Sequence, residues 1–518
     1  MRRAIAAAAV SGLVLGGVMA IPAFATAANT TGKTAIKTTG KKTVKKTAVK
    51  TVVYHGYEFQ VPASWPVYRL DQNPTTCVRY DVHAVYLGTP GADMKCPAGL
   101  VGRTQTVSVI PSATVAAGAG STTVYQRQQP DGIGGAEVRA LPAVKGKVTD
   151  NVNEHELRVA LGAASAGTTV LATYGTAPAV VEQVLSTLRP APAGAADSRQ
   201  TGSSAALSRP SGERAAVAEQ RVVAQQADQQ SAAVSRASAA RPSADRPASD
   251  AKTSPKKSAS KSKTTVYKSW KGVPSNWPVQ IVMPPPAPPV AVHPVNGFDS
   301  CTAPTLATMR VWKRQYSAVG VYIGGSDSAC AYGNLSKAWF SSAAAMGWGM
   351  LPTYVGPQAP CWGNQGAVIN ASKAVAEGEA AGADAVTDAK YFGLGAGSPI
   401  YYDMEAYDGS QSCTNAVLAF LGGWDRTVTA KGYLTGVYSS QDSGIDDMQK
   451  AAAANKAGFT KPDAIWIARW DGKATLQDGT LDWALGDREK QYAGNLYATV
   501  GGITLNIDKD VVAGPMAR

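Results

Sequence analysis

From Asn296 onward the chain alternates short apolar runs with longer amphipathic stretches. "NGFDS", "AVGVYIGG", "GMLPTYVG", "SPIYYDMEAY", "LTGVYSS", "DAIWIARW", "KQYAG" and "ITLNIDKDVV" read as strands. Between them "TLATMRVWKRQ", "NLSKAWFSSAAAMG", "NASKAVAEGEAAGADAVTDAKYFG", "TNAVLAFLGGWDRTVTAKG" and "GIDDMQKAAAA" read as helices. Strands of buried type in strict alternation with helices predict a parallel sheet wrapped by helices. Eight of them between residues 296 and 518 predict a (β/α)8 barrel. The alternative is a doubly wound open sheet. No GxGxxG follows the first strand, which counts against a nucleotide-binding version of it.

The first half carries a different pattern. "HAVYLG", "TQTVSVI", "HELRVAL" and "TTVLATYG" alternate as strands, and "TAPAVVEQVLSTLR" reads as a helix. Thr176 is its expected N-cap, and Val181, Val184, Leu185 and Leu188 its buried face. Residues 54–190 are therefore predicted to form a small α+β domain. Residues 191–295 read as linker: Ala, Ser, Arg, Gln and Lys with few aromatics, ending in the stiff proline spacer "MPPPAPPVAVHP". "VPASWPV" (61–67) recurs as "VPSNWPV" (273–279), a partial duplication to which no role is assigned.

Composition adds a compartment. Residues 1–27 have a basic start, an apolar stretch and small residues at Ala23 and Ala25, the pattern of a secretory signal peptide. The alternative is a membrane anchor, against which the short, glycine-broken apolar run argues. No later stretch reads as a transmembrane segment. Six cysteines in an exported chain predict disulfides involving Cys77, Cys96, Cys301, Cys330, Cys361 and Cys413. The last four follow the first four barrel strands and would staple neighbouring mouth loops, with three connectivities open. The protein is thus expected outside the cell or on the cell wall.

The formal charge of +13 is unevenly spread. Residues 296–518 hold 17 basic and 21 acidic residues, net −4; the preceding 33 basic and 16 acidic residues give net +17. The Lys/Thr-rich tail over 28–53 and "KTSPKKSASKSK" carry much of the excess. Such runs favour anionic cell-wall polymers outside a cell over any specific nucleic acid. The plain alternative is a solvated tether.

Against this background the acids in the barrel strands stand out. Asp299 ends the first strand, Asp403 and Glu405 the fourth, and Asp508 and Asp510 lie in the last. Barrel chemistry sits at the C-terminal ends of the strands, and residues two apart face one side. Crowded carboxylates raise the proton affinity of at least one of them. A protonated acid beside an ionised one is what glycosidic cleavage requires. Tyr354, Tyr438, Trp470 and Tyr492 lie at the same ends and are candidate sugar platforms, with ordinary packing as the alternative. Arg469 is a candidate partner for a carboxylate or an acidic sugar substituent. All four histidines precede residue 294, which excludes a Ser-His-Asp triad in this half and argues against zinc. The pattern calls for no cofactor; a carboxylate-bound Ca²⁺ or Mg²⁺ is the alternative use of the same acids.

Taken together, "GFDSCTAP", "VGVYIGG", "YVGPQA", "SPIYYDMEAY", "GVYSS" and "NIDKD" resemble the glycoside-hydrolase-like domain of secreted actinobacterial proteins, a barrel related to the lysozymes of glycoside hydrolase family 25. The resemblance covers about residues 296–515. It implies Glu405 as general acid, Asp403 as the group that steers or stabilises the intermediate, with the substrate's N-acetyl group able to assist, and Asp299 and Asp508 as supporting sugar-binding residues. The function it implies is hydrolysis of a cell-wall polysaccharide such as peptidoglycan. A barrel that binds glycan without cutting it, or an envelope structural protein, is the alternative. Asp510 departs from the asparagine usual at that position, and the loops carry cysteines. "CVRYDVHAVYLGTPG" and "CPAGLVGRTQ" resemble a leading domain found on such secreted proteins.

Overall fold

The computed structural model describes residues 48–111, 139–141, 143–144, 146–162, 167–209, 293–477, 479 and 481–518. The expected signal peptide, nearly all of the Lys/Thr tail, the Lys-rich linker, the repeat at 273–279 and most of the proline spacer lie outside the described residues.

The first domain is mostly β. Strands β1 (Val49–Tyr54), β2 (Tyr57–Pro62) and β10 (Arg189–Pro190) make a three-stranded sheet. A second sheet runs β3-β4-β5-β9-β8-β7-β6, built from β3 (Val67–Arg69), β4 (Ala84–Leu87), β5 (Thr106–Pro111), β6 (Arg139–Leu141), β7 (Gly146–Asn151), β8 (Glu156–Leu161) and β9 (Thr168–Thr173). Helix α1 (Ala179–Ser186) buries Val181, Val184 and Leu185 against this β core, as its apolar spacing predicts. Its N-cap position is Pro178 rather than Thr176, with no side-chain cap. A proline suits a helix start because its missing N–H is not needed there.

Two expected boundaries shift. The first strand begins at Val49, inside the 28–53 tail. Residues 191–209, placed in the linker by composition, run along the first domain, and α2 (Ser204–Leu207) buries Leu207. Their hydroxyls do the work that apolar side chains do elsewhere. Val53 N–H donates to Ser198 Oγ at 2.9 Å, and Val67 N–H to Thr201 Oγ1 at 3.0 Å. Polar side chains that satisfy exposed strand N–H groups are invisible to a hydrophobicity reading.

The C-terminal domain is a closed eight-stranded barrel: β11 (Val295–Asp299), β12 (Ala318–Gly324), β13 (Gly349–Tyr354), β14 (Pro399–Asp403), β15 (Leu434–Ser440), β16 (Ala464–Ala468), β17 (Arg488–Val500) and β18 (Ile503–Val512). Helices α3 (Leu306–Trp312), α4 (Lys337–Ala345), α5 (Ala374–Tyr391), α6 (Gln411–Ala430) and α7 (Asp446–Ala453) follow the first five strands. Thr305 and Ser336 cap α3 and α4, accepting from Thr308 N–H and Trp339 N–H. Outward residues such as Phe298, Val321, Tyr402 and Ile465 pack under the helices, while Leu351, Tyr401, Tyr438 and Trp466 fill the lumen.

The barrel departs from a full (β/α)8 arrangement at its end. Neighbours from β11 to β17 are parallel, but β18 is antiparallel to both β17 and β11. Among the described residues only a one-turn 3-10 helix, Leu485–Asp487, separates β16 from β17. Strands β17 and β18 join through Gly501–Gly502, whose φ values of 56° and 82° make a tight hairpin turn. Two left-handed residues in a row match the twist of a hairpin, so the chain reverses here instead of crossing over through a helix.

The two domains share a core. Tyr68, Leu70, Val78 and Tyr80 of the first domain pack with Cys301, Ala329, Cys330 and Ala331 of the barrel loops. The disulfides are Cys77–Cys96, Cys301–Cys330 and Cys361–Cys413; in the barrel, the first joins the loops after β11 and β12 and the second joins the loop after β13 to the first turn of α6. Arg103, with no exposed surface, crosses the junction: its Nε donates to Ser328 O at 2.8 Å, and its Nη1 to Glu156 Oε1 at 3.1 Å.

Candidate functional site

Strand pairing brings the carboxylates together. Asp299 on β11 lies directly opposite Asp508 on β18. Gln491 on β17 binds both: its Nε2 donates to Asp299 Oδ2 at 2.7 Å and to Asp508 Oδ2 at 3.2 Å. Its Oε1 accepts from Tyr438 OH at 3.0 Å and from Trp470 Nε1 at 2.7 Å. The backbone N–H of Asn495, a residue with φ of 54°, also donates to Asp508 Oδ1. Gln491 thus uses one side chain to hold two acids on one side and two aromatics on the other.

Asp403 ends β14, is 1% exposed, and pairs in register with Tyr438. This links it to the Gln491 group. Glu405 is the second residue beyond the strand and is half-buried. The segment is pinned by Gln358, whose Nε2 donates to Asp403 O at 2.8 Å while its Oε1 accepts Glu405 N–H at 2.8 Å. Fixing the backbone on both sides of Met404 fixes where the two acids emerge.

Asp510 is buried in the same lumen, opposite Gln491 and Gly297. Trp466 Nε1 donates to its Oδ1 at 3.1 Å. Burial, followed by the charges of Asp299 and Asp508, pushes its carboxyl well above the usual carboxylate range. Within this group Asp510 is the acid whose surroundings favour the proton-bearing form. The lumen has room for this arrangement only because Gly320 lacks a side chain: a Cβ there would meet Asp299 Cβ and the Trp466 ring, each at 2.7 Å.

The other candidates divide. Tyr438 and Trp470 belong to the site through Gln491, and Tyr438 stands edge-on to Trp466 at 5.3 Å. Tyr492 is half-buried, and burial followed by the Asp510 charge raises its phenol. Tyr354 does not join the acids. It is buried in the layer between strands and helices, stacked on Trp424, with its OH donating to Asp384 Oδ2 at 2.9 Å. The register shift between Tyr322 and Gly324, where β12 pairs with β13, accompanies this turn away from the mouth. Arg469 is exposed and lies 3.6 Å from Asp471 Oδ2.

Sequence reasoning missed Gln491, Gln358 and Trp466. A neutral amide carries no catalytic signature. The available signal was position: Gln491 sits in a strand flanked by the "NIDKD" strand that supplies two of the acids.

A closed barrel in which acids ending the parallel strands β11 and β14 meet acids from the antiparallel β18 is a variant of an architecture that hosts many chemistries. Residues 310–512 match the family model described as "Rv2525c-like, glycoside hydrolase-like domain". The family resemblance read from the barrel motifs is thereby shown, over a span that includes Asp403, Glu405, Gln491 and Asp508. Among solved structures, a Bacillus stearothermophilus protein of 19% identity aligns over 42% of this chain and 95% of its own, with a TM-score of 0.30. The Tat-secreted Mycobacterium tuberculosis protein Rv2525c, in complex with L-tartrate, is 13% identical over 42% and 95%, with a TM-score of 0.31. A family 25 glycosyl hydrolase from Bacillus anthracis is 12% identical over 42% and 89%, with a TM-score of 0.25. At these values the structural likeness carries no argument about activity. No curated protein matches the chain.

Proposed function

We propose that the protein is a secreted glycoside hydrolase that cleaves a cell-wall polysaccharide, with peptidoglycan the leading substrate. The supporting observation is the gathering of Asp299, Asp508 and Asp510 around Gln491 and Trp466, with Tyr438 carrying the group to Asp403. In this reading Glu405, the most accessible of the acids, protonates the glycosidic oxygen. Asp403 stabilises the positive charge that develops on the sugar or steers its N-acetyl group. Asp299 and Asp508, tied to Gln491 and, for Asp508, to Asn495, act from behind as supporting residues that hold the shape of the sugar site. Trp470, half-buried, offers ring surface to the sugar's C–H faces, with Tyr438 packed behind it on Gln491.

Export is supported by three disulfides, which persist in oxidising compartments. Among the described residues no helix is long and apolar enough to cross a membrane. The Lys-rich segments would hold the enzyme on anionic wall polymers by nonspecific attraction.

The test is release of reducing ends from purified peptidoglycan and a small glycan panel, comparing wild type with Glu405→Gln. Release by wild type and none by the variant, with glycan binding retained in both, supports the enzyme. Binding without release by wild type makes this a glycan-binding barrel. Neither binding nor release, with attachment to cells lost on removing the Lys-rich segments, makes it an envelope structural protein.

A further inference from the structure

A second cavity lies away from the acids, where the first domain meets the barrel. Its volume is about 350 Å³, and none of Asp299, Asp403, Glu405 or Asp508 lines it. The loop between β7 and β8 supplies Val152, Asn153 and His155; the barrel supplies Ser326 after β12, Val368, and Asp384 on α5. The size falls within the range of small-molecule sites, roughly 300–1,000 Å³.

One wall is prearranged. Asn153 Nδ2 donates to Asp384 Oδ1 at 2.9 Å across the domain junction, and Tyr354 OH donates to Asp384 Oδ2 at 2.9 Å. The carboxylate is fixed in place by a residue from each domain. Opposite chemistry lies at the rim, where Val152 and Val368, one from each domain, are 53% and 42% exposed.

Two lining residues each carry a buried polar atom without a hydrogen-bond partner: Ser326 Oγ and His155 Nδ1. Ser326 is only 4% exposed. Burying such a group unsatisfied is unfavourable, so two in one cavity wall point to something that completes them. His155 is stacked on Tyr174 with a ring separation of 4.9 Å, and its backbone is held at φ of 49°. Burial, followed by the Arg103 charge, pushes its imidazole down to about 4, so the ring is neutral at neutral pH.

We infer that this junction is a second binding site, for a neutral, hydroxyl-rich ligand the size of one or two sugar rings. Hydroxyl groups can both donate to Asp384 and complete Ser326 and His155, which an anion or a simple cation cannot do together. The valines at the rim accept the C–H faces of the ring. Because Asn153 and His155 come from one domain and Ser326 and Asp384 from the other, occupancy would also tie the domains together. The inference is independent of catalysis at the barrel mouth.

The experiment uses the full chain with ring-labelled histidine. Only four histidine signals are present, and His155→Gln assigns the one that matters. N-acetylglucosamine, its trimer and glucose are titrated to about 20 mM, enough to see a millimolar dissociation constant, with choline as a cationic control. A saturable shift of the His155 signal by at least one sugar and none by choline is expected. Val368→Trp, which fills the rim from an exposed position, should abolish the shift; Ser326→Ala should weaken binding about 10-fold. Glu405→Gln should leave the shift unchanged, which separates this site from the mouth. The inference is overturned by a His155 signal that no sugar moves, by one that only choline moves, or by a sugar response that Ser326→Ala leaves at wild-type affinity. If Val368→Trp lowers the melting temperature, the Ser326→Ala result decides.

Discussion

Gln491 donates to Asp299 across the barrel seam at 2.7 Å, and the same amide reaches Asp508 at 3.2 Å. Two buried acids share one uncharged donor side chain. Gln491→Leu keeps the bulk and removes both donors and the acceptor for Tyr438 and Trp470. Leaving a buried polar partner unsatisfied costs about 1–3 kcal/mol, so the variant should lose about 3 kcal/mol of stability, read by chemical denaturation. Any glycan cleavage should fall with it by at least about 10-fold, since this loss displaces the acids themselves.

Gly320→Ala tests how tightly the site is packed. The added methyl would meet Asp299 Cβ and Trp466 at once. Overpacking of this kind costs about 1–3 kcal/mol. Tryptophan fluorescence should report a changed Trp466 environment, and Trp466's hydrogen bond to Asp510 should be disturbed. An unchanged spectrum and melting temperature would show that the lumen yields more easily than its contacts indicate.

Arg103→Met should uncouple the domains. The guanidinium lies between Glu154 and Glu156 with its plane over Tyr80, 5.0 Å from the ring centre. Removing it takes a cation away from the buried Glu154 and Glu156, and although Arg158 stays 2.9 Å from Glu156, the cost is about 3 kcal/mol. The expected result is faster proteolysis at the junction and a lower melting temperature, even though methionine matches much of the arginine stem.

Asp425 gives a pH signature. Its carboxyl accepts from Thr435 Oγ1 inside the barrel wall, and burial pushes it up to about 6. A carboxyl raised in the folded state favours folding fully below its unfolded value near 3.8 and loses that contribution as pH climbs through about 6. Asp425→Asn, which mimics the neutral form, should match wild type near pH 4 and exceed it by about 2 kcal/mol near pH 7. Melting curves across that window check the sign. A variant that is worse at every pH would mean that the proton on Asp425 makes a hydrogen bond that asparagine cannot.

Much of the barrel was legible because buried parallel strands and amphipathic helices leave distinct periodicities. All eight strand segments and five helices fall where the pattern placed them. Strand direction leaves no such trace, and the reversal at β18 was missed, although Gly501–Gly502 between two apolar runs is a recognised hairpin signal. Asp299 and Asp508 were legible as facing acids once the last strand was set beside the first. Tyr354 was misplaced because position at a strand end does not say which side of the wall a ring occupies. The amides of Gln491 and Gln358 carry no charge to draw the eye, and their importance lies in contacts made far along the chain.

The shared core around Cys301 and Cys330 bears on where this chain can be cut. Composition sets a domain border at residue 296, but the loops behind it are covered by Tyr68, Leu70 and Tyr80 from the other half. A fragment expressed from residue 296 would present that apolar face to solvent and to its own copies. Anyone isolating the barrel for assay therefore does better to begin at Ala48, so that the first domain and the barrel melt together, seen in calorimetry as a single transition.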